Sequence, residues 1–144
     1  MKIKISVDDH GIGAALDDLG ERLSHSTEDA TGLGLHMVEG IAKKLAPIRT
    51  GRLRGSIRTE GPSAQLGGYA GKVGPHVIYA NIQEFGGVIV PKRVRFLHWV
   101  DAGGEHWAKR VTIPAHPYMR PALAMTRPNL SKLFEGELEK AVAE

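Results

Sequence analysis

A chain of 144 residues with 42% apolar and 24% charged side chains is long enough to bury one hydrophobic core. It contains no cysteine, which excludes disulfides, thiolate catalysis and cysteine zinc sites, and no apolar run reaches the ~18 residues of a membrane span. The net charge of +3 is unevenly spread: residues 1–40 hold three basic and eight acidic side chains, residues 41–120 thirteen and four, and residues 121–144 three and four. A basic middle between acidic ends has three readings, namely a nucleic-acid surface, head-to-tail contact between copies, or neutralisation by the chain's own acidic helices.

Residues 2–7 alternate Ile3, Ile5 and Val7 with Lys2, Lys4 and Ser6, which predicts a strand and not an export signal. Asp8 to Gly11 is a turn. Ile12, Ala15, Leu16, Leu19 and Leu23 then follow helical spacing. Ser24-His25-Ser26-Thr27 is expected to break this helix, with Ser26 or Thr27 capping a second one that runs to Leu45. Leu35, Val38, Ile41, Ala42 and Leu45 form its apolar stripe. Gly32 and Gly34 lower helix stability and suggest a kink or close packing, and Pro47 ends the segment.

Thr50-Gly51 is a turn. Leu53 to Thr59 is expected as a strand, with Leu53 and Ile57 on one face and Arg52, Arg54 and Arg58 on the other. Residues 60–68 read as a loop and Tyr69 to Gly74 as the returning strand. The segment Ile78 to Gly87 reads as a short central helix with a glycine stop. Its stripe is Ile78, Ile82 and Phe85. Glu84, the only acid between Glu60 and Asp101, sits among basic segments, so a pairing with Arg52 or Arg54 is expected to tie the basic loops to this helix.

Val88 to Val90 is a short strand, and Arg95–Val100 with His106–Ile113 are the strands of a hairpin around Asp101 to Gly104. Pro114 to Pro117 is a stiff connector. The last helix starts near Tyr118 or Met119, is kinked or restarted at Pro128 near Thr126 or Arg127, and carries Leu130, Leu133, Phe134, Leu138, Ala141 and Val142 on its apolar face.

Chemistry-bearing patterns are sparse. His36 and Glu39, at helical i, i+3, lack a third metal ligand, and so do His98 and His106, which flank the hairpin loop. There is no Gly-x-Ser-x-Gly elbow, no phosphate loop and no outstanding carboxylate pair. Arg49, Arg52, Arg54 and Arg58 could follow a phosphate backbone, and Tyr79, His76 and Arg52 could serve a small RNA-cleaving toxin. The basic nucleic-acid-binding module and the toxin therefore stay open as alternatives.

One set of residues comes in a distinctive order. It comprises Ala46-Pro47, Thr50-Gly51-Arg52-Leu53-Arg54-Gly55-Ser56-Ile57, Tyr79-Ala80 with Glu84-Phe85-Gly86-Gly87, and Pro117-Tyr118-Met119-Arg120-Pro121-Ala122-Leu123. This order resembles the tail-completion proteins (also called neck, head–tail joining or minor tail proteins) of long-tailed bacteriophages and prophages. Val111-Thr112-Ile113-Pro114-Ala115-His116-Pro117 also looks like the version of this pattern in related virion-morphogenesis proteins. The resemblance implies one α+β domain over residues 1–144. A mostly antiparallel sheet would pack against a long N-terminal helical region, the short central helix and a C-terminal helix, with a β-hairpin arm at about 88–114. It also implies a non-enzymatic virion protein without cofactor or metal. Copies would form a ring, sixfold in the family, that caps the tail tube and joins it to the filled head, after assembly in the bacterial cytoplasm. Its partners would be further copies, the tail-tube protein and a head-completion or connector protein, with non-specific contact to passing DNA and none to membrane. On that reading Arg52, Arg54 and Glu84 are the internal tie, while Lys92, Arg93, Arg95, Trp99 and Trp107 contact neighbouring subunits or the tube.

Overall fold

The computed structural model describes residues 11–143. The strand expected over residues 2–7 lies outside them. The fold is α+β: α1 (Ile12–Leu45), α2 (Arg52–Ser56), β1 (Ile57–Gln65), β2 (Gly68–Pro75), α3 (Ala80–Phe85), β3 (Gly87–Ile89), β4 (Leu97–Asp101), β5 (Gly104–Ala108), β6 (Val111–Ile113) and α4 (Met119–Ala143). All strand pairs are antiparallel: β1 with β2, β3 with β6, and β4 with β5.

Helix α1 runs 34 residues without the break expected at Ser24 to Thr27. The hydroxyls there do not start a new helix. Thr27 Oγ1 donates back to Leu23 O at 2.7 Å and Thr31 Oγ1 to Thr27 O at 2.7 Å, while Ser24 Oγ lies 3.1 Å from Tyr69 Oη on β2. Tertiary packing decides the matter, because α1 lies against α4 and against the β1–β2 ribbon. Its buried positions are Ala30, Gly34, Val38 and Ala42, one four-residue ridge of mostly small side chains. A Cβ on Gly34 would stand 2.9 Å from Leu130 Cδ2, so the glycine marks close packing of α4. The helix stops before Pro47, as expected, with Ala46 extended.

Two expectations for the next segment are corrected. Residues 52–56 form the turn of helix α2, and Leu53 and Ile57, four apart, both enter the core. That spacing suits a helix entering a strand as well as it suits one strand. Residues 60–65 belong to β1, and the ribbon closes through a tight turn at Leu66-Gly67. The Pro62 that argued for a loop sits at the register shift between Glu60 and Ser63, where a proline is tolerated because no ladder bond is needed.

The core gathers Val38, Ala42, Ala46, Leu53, Ile57, Ala80, Tyr118 and Ala122. The stripe expected on α3 is wrong: Ile78 is 102% and Phe85 57% exposed, whereas Ala80 and Glu84 are buried. Ile78 lies before the first helical residue, so the counted period begins outside the helix.

Helix α4 is a single element through Pro128, without the restart expected there. Proline removes the N–H that would bond Ala124 O, but residues 123–125 and 127–129 apart from the buried Thr126 face solvent, so the freed carbonyl stays hydratable. Thr126 bonds inward to Ala122 O at 2.9 Å.

Candidate assembly surface

Glu84 is 6% exposed and its carboxylate is fully engaged. Oε2 accepts the backbone N–H groups of Tyr118 (2.8 Å) and Met119 (3.0 Å), and Oε1 that of Arg120 (3.0 Å). These are three of the four orphan donors at the start of α4. The fourth position is Pro121, which has no N–H, and Ala122 N already bonds Tyr118 O at 3.2 Å. Every donor at this helix start is thus accounted for. Burial alone raises the Glu84 carboxyl pKa, but the three N–H bonds and the Arg120 charge outweigh it and hold it below the usual carboxylate range.

Glu84 is therefore a tie, but not to the arginines expected. Arg52 and Arg54 lie exposed on α2 and pair with no acid among the described residues. The arginine that meets the 84–85 pair is Arg120, whose guanidinium sits 4.6 Å from the Phe85 ring centroid. The one sequence signal for this partner is the proline-flanked helix start from Pro117 to Pro121, whose backbone N–H groups favour a carboxylate; nothing local to Glu84 places it there. Gly86 completes the junction. Its φ is +68°, and a Cβ there would lie 2.8 Å from Ala115 N and 2.9 Å from Ile113 O. Gln83 O accepts His116 N at 2.7 Å. Ala46, Leu53, Ile57, Ala80 and Ala122 meet in the core, and Glu84, Gly86 and Tyr118 meet at this junction.

Segment 87–113 is one interrupted antiparallel arm. Its stem is β3–β6, with Gly87 opposite Ile113, and its tip is β4–β5, with Leu97 opposite Ala108. Between stem and tip, residues 90–96 bulge out opposite Lys109-Arg110 alone. The second hairpin strand expected over 106–113 is accordingly divided into β5 and β6. The two segments of this joint carry five exposed basic residues, Lys92, Arg93 and Arg95 on one and Lys109 and Arg110 on the other, a basic collar in sequence position. Arg95 and Lys109 lie 5.6 and 5.9 Å from the Phe96 ring centroid.

The tip carries two cross-strand aromatic pairs on opposite faces. His98 stacks on Trp107 at 4.2 Å and His106 on Trp99 at 5.2 Å. The two imidazoles point to opposite faces, so they do not form a common site. His106 Nε2 also lies 3.0 Å from Asp101 Oδ1, which accepts Gly103 N–H at 2.7 Å. That N–H bond, then the His106 contact, lowers the Asp101 pKa. Trp107 is 65% and Trp99 37% exposed. The tip packs chiefly on itself.

The other candidates are ordinary contacts. Glu39 bonds Lys43 and Thr59, which lower its pKa, and His36 lies 3.7 Å away. His76 Nε2 faces Glu60 at 3.4 Å, not Tyr79 or Arg52. Among the described residues no group of three potential ligands could hold a metal, and no helix is long and apolar enough to cross a membrane. No family profile, curated protein or solved structure matches the chain.

Proposed function

We propose that this chain is a structural virion protein that caps the tail tube of a long-tailed phage as a ring and joins it to the filled head. The observation that carries this reading is the arm: a self-paired hairpin with a basic collar and exposed tryptophans, built onto a compact junction. Each tryptophan uses one face to stack on a cross-strand histidine and leaves the rest of its ring to solvent, and large aromatic side chains are the residue type that anchors interfaces. Lys92, Arg93, Arg95, Trp99 and Trp107 are the proposed contacts with neighbouring copies, the tail-tube protein or the head-side connector. Arg52 and Arg54, exposed and without an acid partner among the described residues, are available to a neighbour or to passing DNA, whose backbone they would meet without reading sequence. The acidic first half of α1 and the basic collar supply unlike surfaces, as a ring of heterologous contacts requires. The ordered motifs that resemble tail-completion proteins give the reading its specificity.

The test is the DNA on either side of the reading frame. Neighbours encoding a portal, a capsid shell and a tail tube are the expected result. A lone frame beside a small antitoxin-like partner contradicts the proposal and points to RNA cleavage.

A further inference from the structure

An apolar groove of about 320 Å³ opens where α1, β2 and the start of α4 meet, in the size range of specific ligand clefts. Leu35, Val38, Val73, Met119, Leu123 and Arg120 line it. Gly71 lets Leu35 lie close on β2, since a Cβ there would meet Leu35 Cδ1 at 2.3 Å. Leu123 is 54% exposed, although it belongs to the first turns of the helix that Glu84 anchors. An apolar hollow with one cation in its lining suits an aromatic side chain that has an acid beside it.

One face of the arm tip has that composition. Trp107 pairs with His98, and the neighbouring pair on the same face is Val100 with Glu105, an exposed carboxylate whose one ion-pair contact among the described residues is His98 Nε2 at 3.8 Å, long enough to be exchanged for a guanidinium. Trp107 and Val100 are 65% and 60% exposed. The tip spans about 17 Å of ribbon, so it can present this face to another molecule. We infer that the tip of one copy docks in this groove of the next, with Trp107 and Val100 covering Leu35, Val73 and Leu123, and Glu105 meeting Arg120. The contact is heterologous: each copy offers one tip and one groove, so association continues until a ring closes. This inference rests on the reading that copies assemble head to tail, and it names the surfaces involved.

The experiment is sedimentation velocity on the full chain over a concentration series, with Trp107→Ala and Leu123→Asp variants checked for native circular dichroism. Both positions are exposed, so folding is expected to survive. Wild type should form species larger than a dimer, and each variant should associate at least about 30-fold more weakly. Mixed one to one, the variants should form a dimer and stop there, because the intact tip of Leu123→Asp fits the intact groove of Trp107→Ala once. Val100→Lys in place of Trp107→Ala should give the same complementation. A monomeric wild type, a Trp107→Ala variant that assembles like wild type, or a mixture that shows no dimer overturns the inference. Flanking genes of the wrong kind, with complementation intact, would remove the virion reading and leave the docking in place.

Discussion

Glu84→Ala is the perturbation whose effect the structure defines best. The carboxylate accepts three N–H groups, one of them buried and two partly so. Losing an N-cap costs up to about 2 kcal/mol, and a buried donor left unsatisfied costs about 1–3 kcal/mol. Together these place the loss at about 3–5 kcal/mol, a large share of a domain's typical stability of about 5–15 kcal/mol. Glu84→Gln keeps the shape but loses the charge and turns one acceptor into a donor, so about 1–3 kcal/mol is expected. The pH dependence separates the two effects. The folded pKa lies below the ordinary 4.5, so the carboxylate's stabilisation is complete above that value and is lost as pH falls through the folded pKa. Wild type should therefore exceed Glu84→Gln at neutral pH and approach it in acid. The assay is urea unfolding followed by far-ultraviolet circular dichroism, because both tryptophans lie in the arm and their fluorescence does not report the core. A loss under about 1 kcal/mol for Glu84→Ala, or an equal loss for Arg52→Ala, refutes the cap; Arg52→Ala should stay within about 0.5 kcal/mol.

Gly86→Ala should cost at least about 2 kcal/mol in the same assay, because backbone atoms of residues 113 and 115 occupy the Cβ site. Gly51→Ala, with a φ of +75° but open space around it, should cost only about 1–2 kcal/mol. Tyr118→Phe should be within about 1 kcal/mol of wild type or more stable, since the buried hydroxyl has no hydrogen-bond partner among the described residues; a larger loss, measured by urea unfolding, contradicts that geometry. The double substitution Trp99→Ala with Trp107→Ala should leave the thermal unfolding of the helices nearly unchanged and abolish association seen by light scattering. A cooperative loss of helix would show that the arm belongs to the core.

Legibility in the sequence followed the locality of the cause. The end of α1, the turn at Gly51, the glycine stop at Gly86 and the hairpin tip are set by residues within a few positions of each other, and each was readable. The continuity of α1 was not. Its Ser-His-Ser-Thr stretch is locally ambiguous, and the ridge that resolves it is satisfied by α4, some hundred residues downstream. That α4 does not restart at Pro128 has a related reason: the proline's penalty depends on whether the freed carbonyl is wet, which no window of sequence records. Glu84 stands out in the sequence as an isolated acid in basic surroundings. Its partners do not, because charge counting sees arginine side chains but not backbone N–H groups at a helix start 34 residues away. The groove was not readable at all, since its lining comes from α1, β2 and α4. The arm's place in the assembly was legible only as exposed aromatic residues in a polar hairpin, a signal that names an interface but no partner.

The most direct measurement is electron microscopy of lysates from a phage or prophage carrying this gene, with the reading frame deleted and then restored on a plasmid. The account predicts filled heads beside finished but uncapped, unattached tails, and joined particles when the intact gene returns. Complete, infectious particles in the deletion strain would contradict it.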